Sequence, residues 1–177
     1  MGKGGTKIVG LILCSGRGTR LREETKDKPK CMVEVENKPV LEHIADHMNK
    51  HGIWRIVVNL HKFPEVVMKH FGQRFLYLYE PVPMGAFATI VLVSAMFPSE
   101  PILVTNGDTI TDFWPDDLFN RKLGDPSIRY FSEKTGRHMG TSLICGNAIP
   151  FIKRVNCEYF DIGTPEKLAI ARKHYGN

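Results

Sequence analysis

Three groups of residues in this 177-residue chain have types and spacing suited to chemistry. The first is Leu13-Cys14-Ser15-Gly16-Arg17-Gly18-Thr19-Arg20, directly after an apolar run. Two glycines there let the backbone approach an anion, and successive N–H groups can form an anion-binding nest; a plain tight turn between strand and helix accounts for the same residues. It is no Walker A loop, because no Gly-Lys-Ser/Thr follows, and no dinucleotide fingerprint, because the third glycine is missing. Six basic side chains come with it, Arg17, Arg20, Arg22, Lys26, Lys28 and Lys30, and such density calls for a polyanion or open solvent. The second group is Asp108, with Asp112 nearby, after Asn106-Gly107. A carboxylate at a strand end beside a phosphate loop suits Mg²⁺, which takes one or two protein carboxylates and fills its octahedron with phosphate oxygens and water. The third is Asp161, ahead of Gly163-Thr164-Pro165-Glu166, which by itself reads as a turn or capping aspartate.

Short apolar runs alternate with helix-period segments, the rhythm of an α/β protein. Strands are predicted at 7–13, 54–59, 75–79, 102–105, 127–131 and 141–145, and helices at 39–51, 65–71, 86–97, 116–123 and 165–175. Between the first strand and first helix lies a connection, 14–37, long for a βα unit, with a short extended piece at 32–35. The helix at 39–51 carries Val40, Leu41, Ile44, Ala45 and Met48 on one face, with Pro39 at its start and Gly52 as its stop. The segment 86–97 suits a buried helix better than a strand, because it is long and follows directly on a loop. The expected architecture is a Rossmann-like three-layer αβα sandwich with a mixed, mostly parallel sheet and helices on both faces. In such sheets ligands sit at the carboxyl ends of the strands, where Asp108 falls.

The size allows a single domain, 1–177, with residues 1–6 expected to be a flexible tail. The longest mostly apolar stretch, 87–97, falls short of the roughly 18 residues that a membrane span needs. No apolar signal region precedes the first strand, so a cytoplasmic location and no membrane partner are expected. Cys14, Cys31, Cys145 and Cys157 lack C-x-x-C spacing and are expected to be free thiols. A net charge of +5 is modest for a nucleic-acid binder but fits a phosphorylated substrate, so no nucleic-acid partner is expected. His43, His47 and His51 recur every fourth residue on one helix; an amphipathic helix edge explains them better than a metal site.

Taken together, the motifs resemble the sugar-1-phosphate nucleotidyltransferases. Residues 13–21, then Pro29-Lys30 and Lys38-Pro39, look like that family's signature loop; Pro81-Val82-Pro83-Met84-Gly85 looks like its nucleobase loop. Val104-Thr105-Asn106-Gly107-Asp108 resembles its metal strand, 160–166 its second metal segment, and Glu133-Lys134 a substrate-binding pair. The resemblance implies that Leu13, Ser15, Gly16, Arg17, Gly18 and Thr19 wrap the nucleotide phosphates, with Arg20 on the pyrophosphate leaving group. Lys30 would hold the α-phosphate or sugar phosphate, Asp108 and Asp161 would hold Mg²⁺, and Glu80, Pro83, Gly85 and Gly107 would line the nucleotide site. The reaction implied is transfer of a nucleoside monophosphate from an NTP to a sugar 1-phosphate or similar small phosphate, with release of pyrophosphate. The expected partners are those two substrates, and a homo-oligomer is compatible with the chain.

Three features depart from the family pattern. Cys14-Ser15 replaces a smaller pair, Arg22-Glu23-Glu24-Thr25 replaces R-P-L-T, and only 53 positions separate Asp108 from Asp161, about half the family's usual spacing. The acceptor side is thus trimmed, and the alternative is a non-catalytic nucleotide or NDP-sugar binding domain. An ionised Glu80 beside the base loop can only accept hydrogen bonds, which favours CTP or GTP.

Overall fold

The computed structural model describes residues 7–115, 118–145 and 151–176, with the backbone alone for Phe151. A seven-stranded sheet runs in the order β10-β8-β9-β6-β1-β4-β5. It comprises β1 (Val9–Leu13), β4 (Ile56–Leu60), β5 (Leu76–Tyr79), β6 (Ile102–Asn106), β8 (Ile128–Ser132), β9 (Arg137–Ile144) and β10 (Phe151–Val155). The contiguous strands β6-β1-β4-β5 are parallel, β9 runs antiparallel to both β6 and β8, and β10 lies parallel to β8. Two small ribbons complete the strands: β2 (Glu34–Val35) with β3 (Lys38–Pro39), and β7 (Thr109–Thr111) with β11 (Tyr159–Asp161).

The alternation of β1 assigns its side chains to two layers. Ile8 and Ile12 join the larger core, with Ile56, Val58, Leu60 and Leu103, beneath α1 (Val40–Lys50), α2 (Pro64–Phe71) and α4 (Pro165–Tyr175). Val9 and Leu11 face the other way, with Val57, Ile102 and Val104, beneath α3 (Ala86–Met96). The expected αβα sandwich is therefore present. Gly10 is needed for the close approach of α1: a Cβ there would lie 2.7 Å from Met48 Sδ. The five apolar residues of α1 singled out from its period are all buried. The four cysteines are free and buried.

Several expectations change. The helix at 86–97 forms, but it is not buried: only Thr89 and Val93 are enclosed, while Phe87, Val91, Leu92 and Met96 stand exposed. A helix that is apolar all round has no period to say which side meets the sheet, and α3 has no further layer of described residues outside it. The helix expected at 116–123 is reduced, within the described residues, to a 3-10 turn at Leu118–Asn120; residues 116 and 117 lie outside them. The long connection 14–37 holds 3-10 turns at Thr19–Thr25 and Lys30–Met32 before the β2–β3 hairpin. That hairpin turns through Glu36 and Asn37, both with positive φ, as a two-residue turn of the right twist requires. The strands β7, β10 and β11 were not anticipated. No helix among the described residues is long and apolar enough to cross a membrane.

Candidate active site

From β1 the neighbouring strands are reached in opposite directions, β4 on one side and β6 on the other. A crevice therefore opens at the carboxyl end of β1, the topological switch point of the sheet. A cleft of about 380 Å³ occupies that position, lined by Leu13, Ser15, Gly16 and Arg17 from the first loop, Lys30, Asn59, Pro83 and Gly85 from the loop before α3, and Gly107 and Asp108 after β6.

Its wall is organised by a buried polar network. Asn59 is the penultimate residue of β4; its Oδ1 accepts the Cys14 N–H (2.7 Å), and its Nδ2 donates to Ser15 Oγ (3.0 Å) and Glu80 Oε1 (2.8 Å). Thr89 Oγ1 in α3 donates to the same carboxylate oxygen (2.7 Å), and the Met84 N–H donates to Glu80 Oε2 (3.0 Å). Burial pushes the Glu80 carboxyl pKa upward, but these donors outweigh it and hold it below the ordinary glutamate value. Glu80 is 1% exposed and does not line the cleft, so the expectation that it meets a base is corrected. Its lone pairs are spent on Asn59, Thr89 and the loop before α3, which it fastens to the end of β4. Asn59 and Thr89 were not anticipated; the visible signal was a lone amide at the end of an otherwise apolar strand, the same position that drew attention to Asp108.

The first loop closes on itself. Gly18 has φ +66°, and its carbonyl accepts from Thr25 Oγ1 (2.9 Å). At the outer end Arg172 of α4 donates to both oxygens of Glu24, at 2.8 and 3.2 Å. Arg17 and Arg20 have no acidic partner among the described residues. Gly107 lies beneath the loop, its N–H donating to the Leu13 carbonyl (2.9 Å); a Cβ at Gly107 would fall 2.4 Å from Cys14 Sγ.

The two aspartates that the sequence separates by 53 positions are brought together by the small β7–β11 ribbon. Asp161 pairs in register with Thr109, and the Ile162 N–H donates to the Asp108 carbonyl (2.9 Å). Lys30 donates to Asp108 Oδ2 and its ammonium lies 4.0 Å from Asp161 Oδ1. Lys167, in the first turn of α4, donates to Asp161 Oδ2, and the Gly163 N–H donates to Oδ1 (2.6 Å). Burial works to raise the Asp161 pKa, but the bonds from Lys167 and Gly163 and the charge of Lys30 prevail and hold it below the ordinary aspartate value. A Cβ at Gly163 would lie 2.6 Å from Asp161 Oδ1, 3.3 Å from Arg20 Nη2 and 3.4 Å from Lys30 Nζ. Arg20, Lys30 and Asp161 thus converge on one point that only a glycine leaves open. Lys167 carried no sequence signal beyond being a lysine near a helix start.

The donor set fits a hard divalent cation. The donors are carboxylate oxygens, and the Lys30 ammonium already occupies a cation position between Asp108 and Asp161, with Lys167 answering the far oxygen of Asp161. Mg²⁺ would need no third protein ligand, since it is commonly held by one or two carboxylates plus phosphate oxygens. The remaining expected residues lie elsewhere. Glu133 is exposed at the β8–β9 turn and Lys134 pairs with Glu158 at 3.4 Å, away from the cleft. The helix histidines are engaged separately: His43 Nε2 with the Val35 carbonyl (2.8 Å), His47 Nε2 with that of Phe113 (3.1 Å), and His51 stacked on Trp114 at 4.2 Å.

Fold and site together define an α/β protein with a cleft at the switch point of its sheet, lined by Arg17, Lys30 and Asp108, with Asp161 beside Lys30. More specifically, the chain belongs to the nucleotidyl transferase family, whose model matches residues 9–124. It is similar to D-glycero-alpha-D-manno-heptose 1-phosphate guanylyltransferase of Campylobacter jejuni, 35% identical over 123 residues, which cover 67% of this chain and 54% of that one. It also resembles UTP–glucose-1-phosphate uridylyltransferase of Haloferax volcanii, 30% identical over 120 residues, covering 65% and 46%. The chain spans about half the length of these curated relatives. Among solved structures, HddC of Yersinia pseudotuberculosis matches with a TM-score of 0.75 at 18% identity, covering 94% of this chain and 99% of that one. The CTP:phosphocholine cytidylyltransferase of Streptococcus pneumoniae matches with a TM-score of 0.73 at 15% identity, covering 95% and 99%. These two show the shared fold.

Proposed function

We propose that the protein transfers a nucleoside monophosphate from an NTP to the phosphate of a sugar 1-phosphate or a similar small phosphate. The observation that carries this reading is the convergence of Arg20 and Asp161 on Lys30 and Asp108, which line the cleft fringed by the first loop. An oxygen of the acceptor phosphate attacks the α-phosphorus; the bond from that phosphorus to the bridging oxygen breaks, and pyrophosphate leaves with the electron pair. The attacking phosphate is already ionised, so no side-chain nucleophile or general base is required. What is required is that two polyanions be held in line while their repulsion and the leaving charge are offset.

In this chain the loop 15–19 and Arg17 hold the β- and γ-phosphates, Arg20 meets the departing pyrophosphate, and Lys30 meets the phosphate at the reacting centre. Asp108 and Asp161 would hold Mg²⁺, which supplies Lewis-acid neutralisation of the phosphate oxygens. Lys30 leaves its place between the carboxylates when a substrate oxyanion offers it a partner. Glu80 acts on the base indirectly, by fixing the loop 81–85 whose backbone faces the nucleotide. With the Glu80 oxygens spent on the loop, the support for a donor base is the guanylyltransferase relative, which favours GTP.

The test is pyrophosphate release from each NTP with a panel of sugar 1-phosphates and phosphocholine. Turnover that survives Asp108→Ala or Lys30→Ala would refute the site. Tight NTP binding without turnover for any acceptor would identify a binding domain instead.

A further inference from the structure

Beyond the reacting centre, a groove continues from Asp161 toward the end of α4. Its inner part, about 300 Å³, is lined by Arg137, Tyr159, Phe160, Asp161, Lys167 and Ile170. Its outer part, about 500 Å³, shares Tyr159, Phe160 and Ile170 and adds Lys134, Glu158 and Lys173. The two parts share their floor, so they form one trough that opens off the site on the acceptor side, with room for a sugar-sized body.

Its charges are unbalanced in one direction. Lys167 is committed to Asp161 and Lys134 to Glu158, so both carboxylates of the trough are already answered. Arg137 on β9, in the inner part, and Lys173 on α4, in the outer part, remain with no acidic partner among the described residues. The acceptor's phosphate belongs at the Lys30 and Asp161 end. That phosphate already has Lys30 and Arg20, so Arg137, on the β9 side of the inner part, and Lys173, further out, are left for the body of the acceptor. The walls are also set in place: Ser132 Oγ donates to the Cys157 carbonyl (2.7 Å), joining the β8–β9 turn to the segment before β11, and the Phe160 ring packs 4.4 Å from that of His174.

We infer that the acceptor carries a second negative charge on its body, as a sugar acid 1-phosphate does, and that Arg137 and Lys173 read it. This rests on the nucleotidyl-transfer reading and names the acceptor class for it. A neutral hexose phosphate would leave both cations solvated, and a cationic body such as phosphocholine would meet repulsion there.

Glucose 1-phosphate, glucuronic acid 1-phosphate and phosphocholine form a charge series on which to decide it. With the donor NTP held constant, kcat/KM for pyrophosphate release is expected to be about tenfold higher for the glucuronate than for glucose 1-phosphate at low salt, as two screened surface ion pairs allow. The preference should shrink toward parity near 1 M salt, where charges are screened within about 3 Å. Arg137→Ala and Lys173→Glu should each lower the acid-to-neutral ratio, chiefly through KM; both residues are exposed, so the fold should be retained. Parity between the two sugars at low salt, or preference for phosphocholine, overturns the inference. Calorimetric binding of the three acceptors, in the presence of a non-hydrolysable NTP analogue, separates the two levels. If nothing is turned over but the glucuronate binds most tightly, the reaction reading fails and the groove assignment stands. If it binds no more tightly than glucose 1-phosphate, the assignment fails whatever the turnover.

Discussion

The wall that would receive the nucleotide and the trough that would receive the acceptor are built on opposite principles. Around β1 and β4 the polar groups of the wall are buried and consumed by one another: Asn59, Glu80, Thr89 and the Cys14 N–H are bonded together beside the small lining residues Ser15, Gly16, Pro83 and Gly85. Around β9, β11 and α4 the polar groups are surface cations and carboxylates on an aromatic floor. The first arrangement suits a ligand part common to every substrate, a triphosphate and its base, because a preorganised wall costs nothing to reorganise at each turnover. The second can be altered one exposed residue at a time without disturbing the core. Rigidity belongs where the chemistry is constant, and surface charge where the specificity varies.

The contrast breaks first at the junction of the two regions. Lys30→Ala removes the cation shared by Asp108 and Asp161, and kcat is expected to fall about 10²- to 10³-fold, the usual loss for one preorganised charge at the reacting centre; steady-state pyrophosphate release measures it. Asn59→Ala strikes the rigid wall, stranding the buried Glu80 carboxylate and the Cys14 N–H, and should cost about 3 kcal/mol in urea unfolding. A destabilisation below about 1 kcal/mol would show that the wall is less tightly coupled than its hydrogen bonds indicate. Gly107→Ala forces a methyl group against Cys14 and the Leu13 carbonyl and should cost about 2 kcal/mol, read the same way.

Acid sharpens the comparison at Asp161. Its folded pKa is depressed, so its contribution to stability is complete above the unfolded value near 3.9 and is lost as pH falls through the lower folded value. Asp161→Asn should flatten the decline of Tm in that window and lower the neutral-pH stability by the same amount, a small one because the group is one-third exposed. The smallest effect belongs to the surface: Arg172→Ala opens the Glu24 pair and should cost below about 1 kcal/mol, an effect that fades in high salt.

Much of this was legible in the sequence. The strands at β1, β4 and β6 read as apolar runs, α1 as a five-residue apolar stripe, and the phosphate loop as glycines followed by cations. Other parts were hidden for physical reasons. β7 and β11 are three residues each, too short to show a period, and exist because they pair with one another across 48 to 52 positions. Glu80 sits at a strand end beside a proline-rich loop, where an exposed and a buried carboxylate look alike in sequence; only its neighbours Asn59 and Thr89 show that it is a fastener. Lys167 becomes part of the site because α4 starts immediately after β11, so that its first turn overhangs Asp161.

The sequence by itself determined what local periodicity and composition encode: an α/β chain, its parallel core strands, the helices between them, and a cationic glycine loop placed at a strand end. Tertiary structure decided which carboxylates share a cation, which glutamate is spent on scaffolding, and which lysine and arginine stand unanswered in the acceptor trough. Those outcomes depend on side chains from distant strands competing for the same lone pairs and charges, and that competition is settled only once the sheet has brought them within reach.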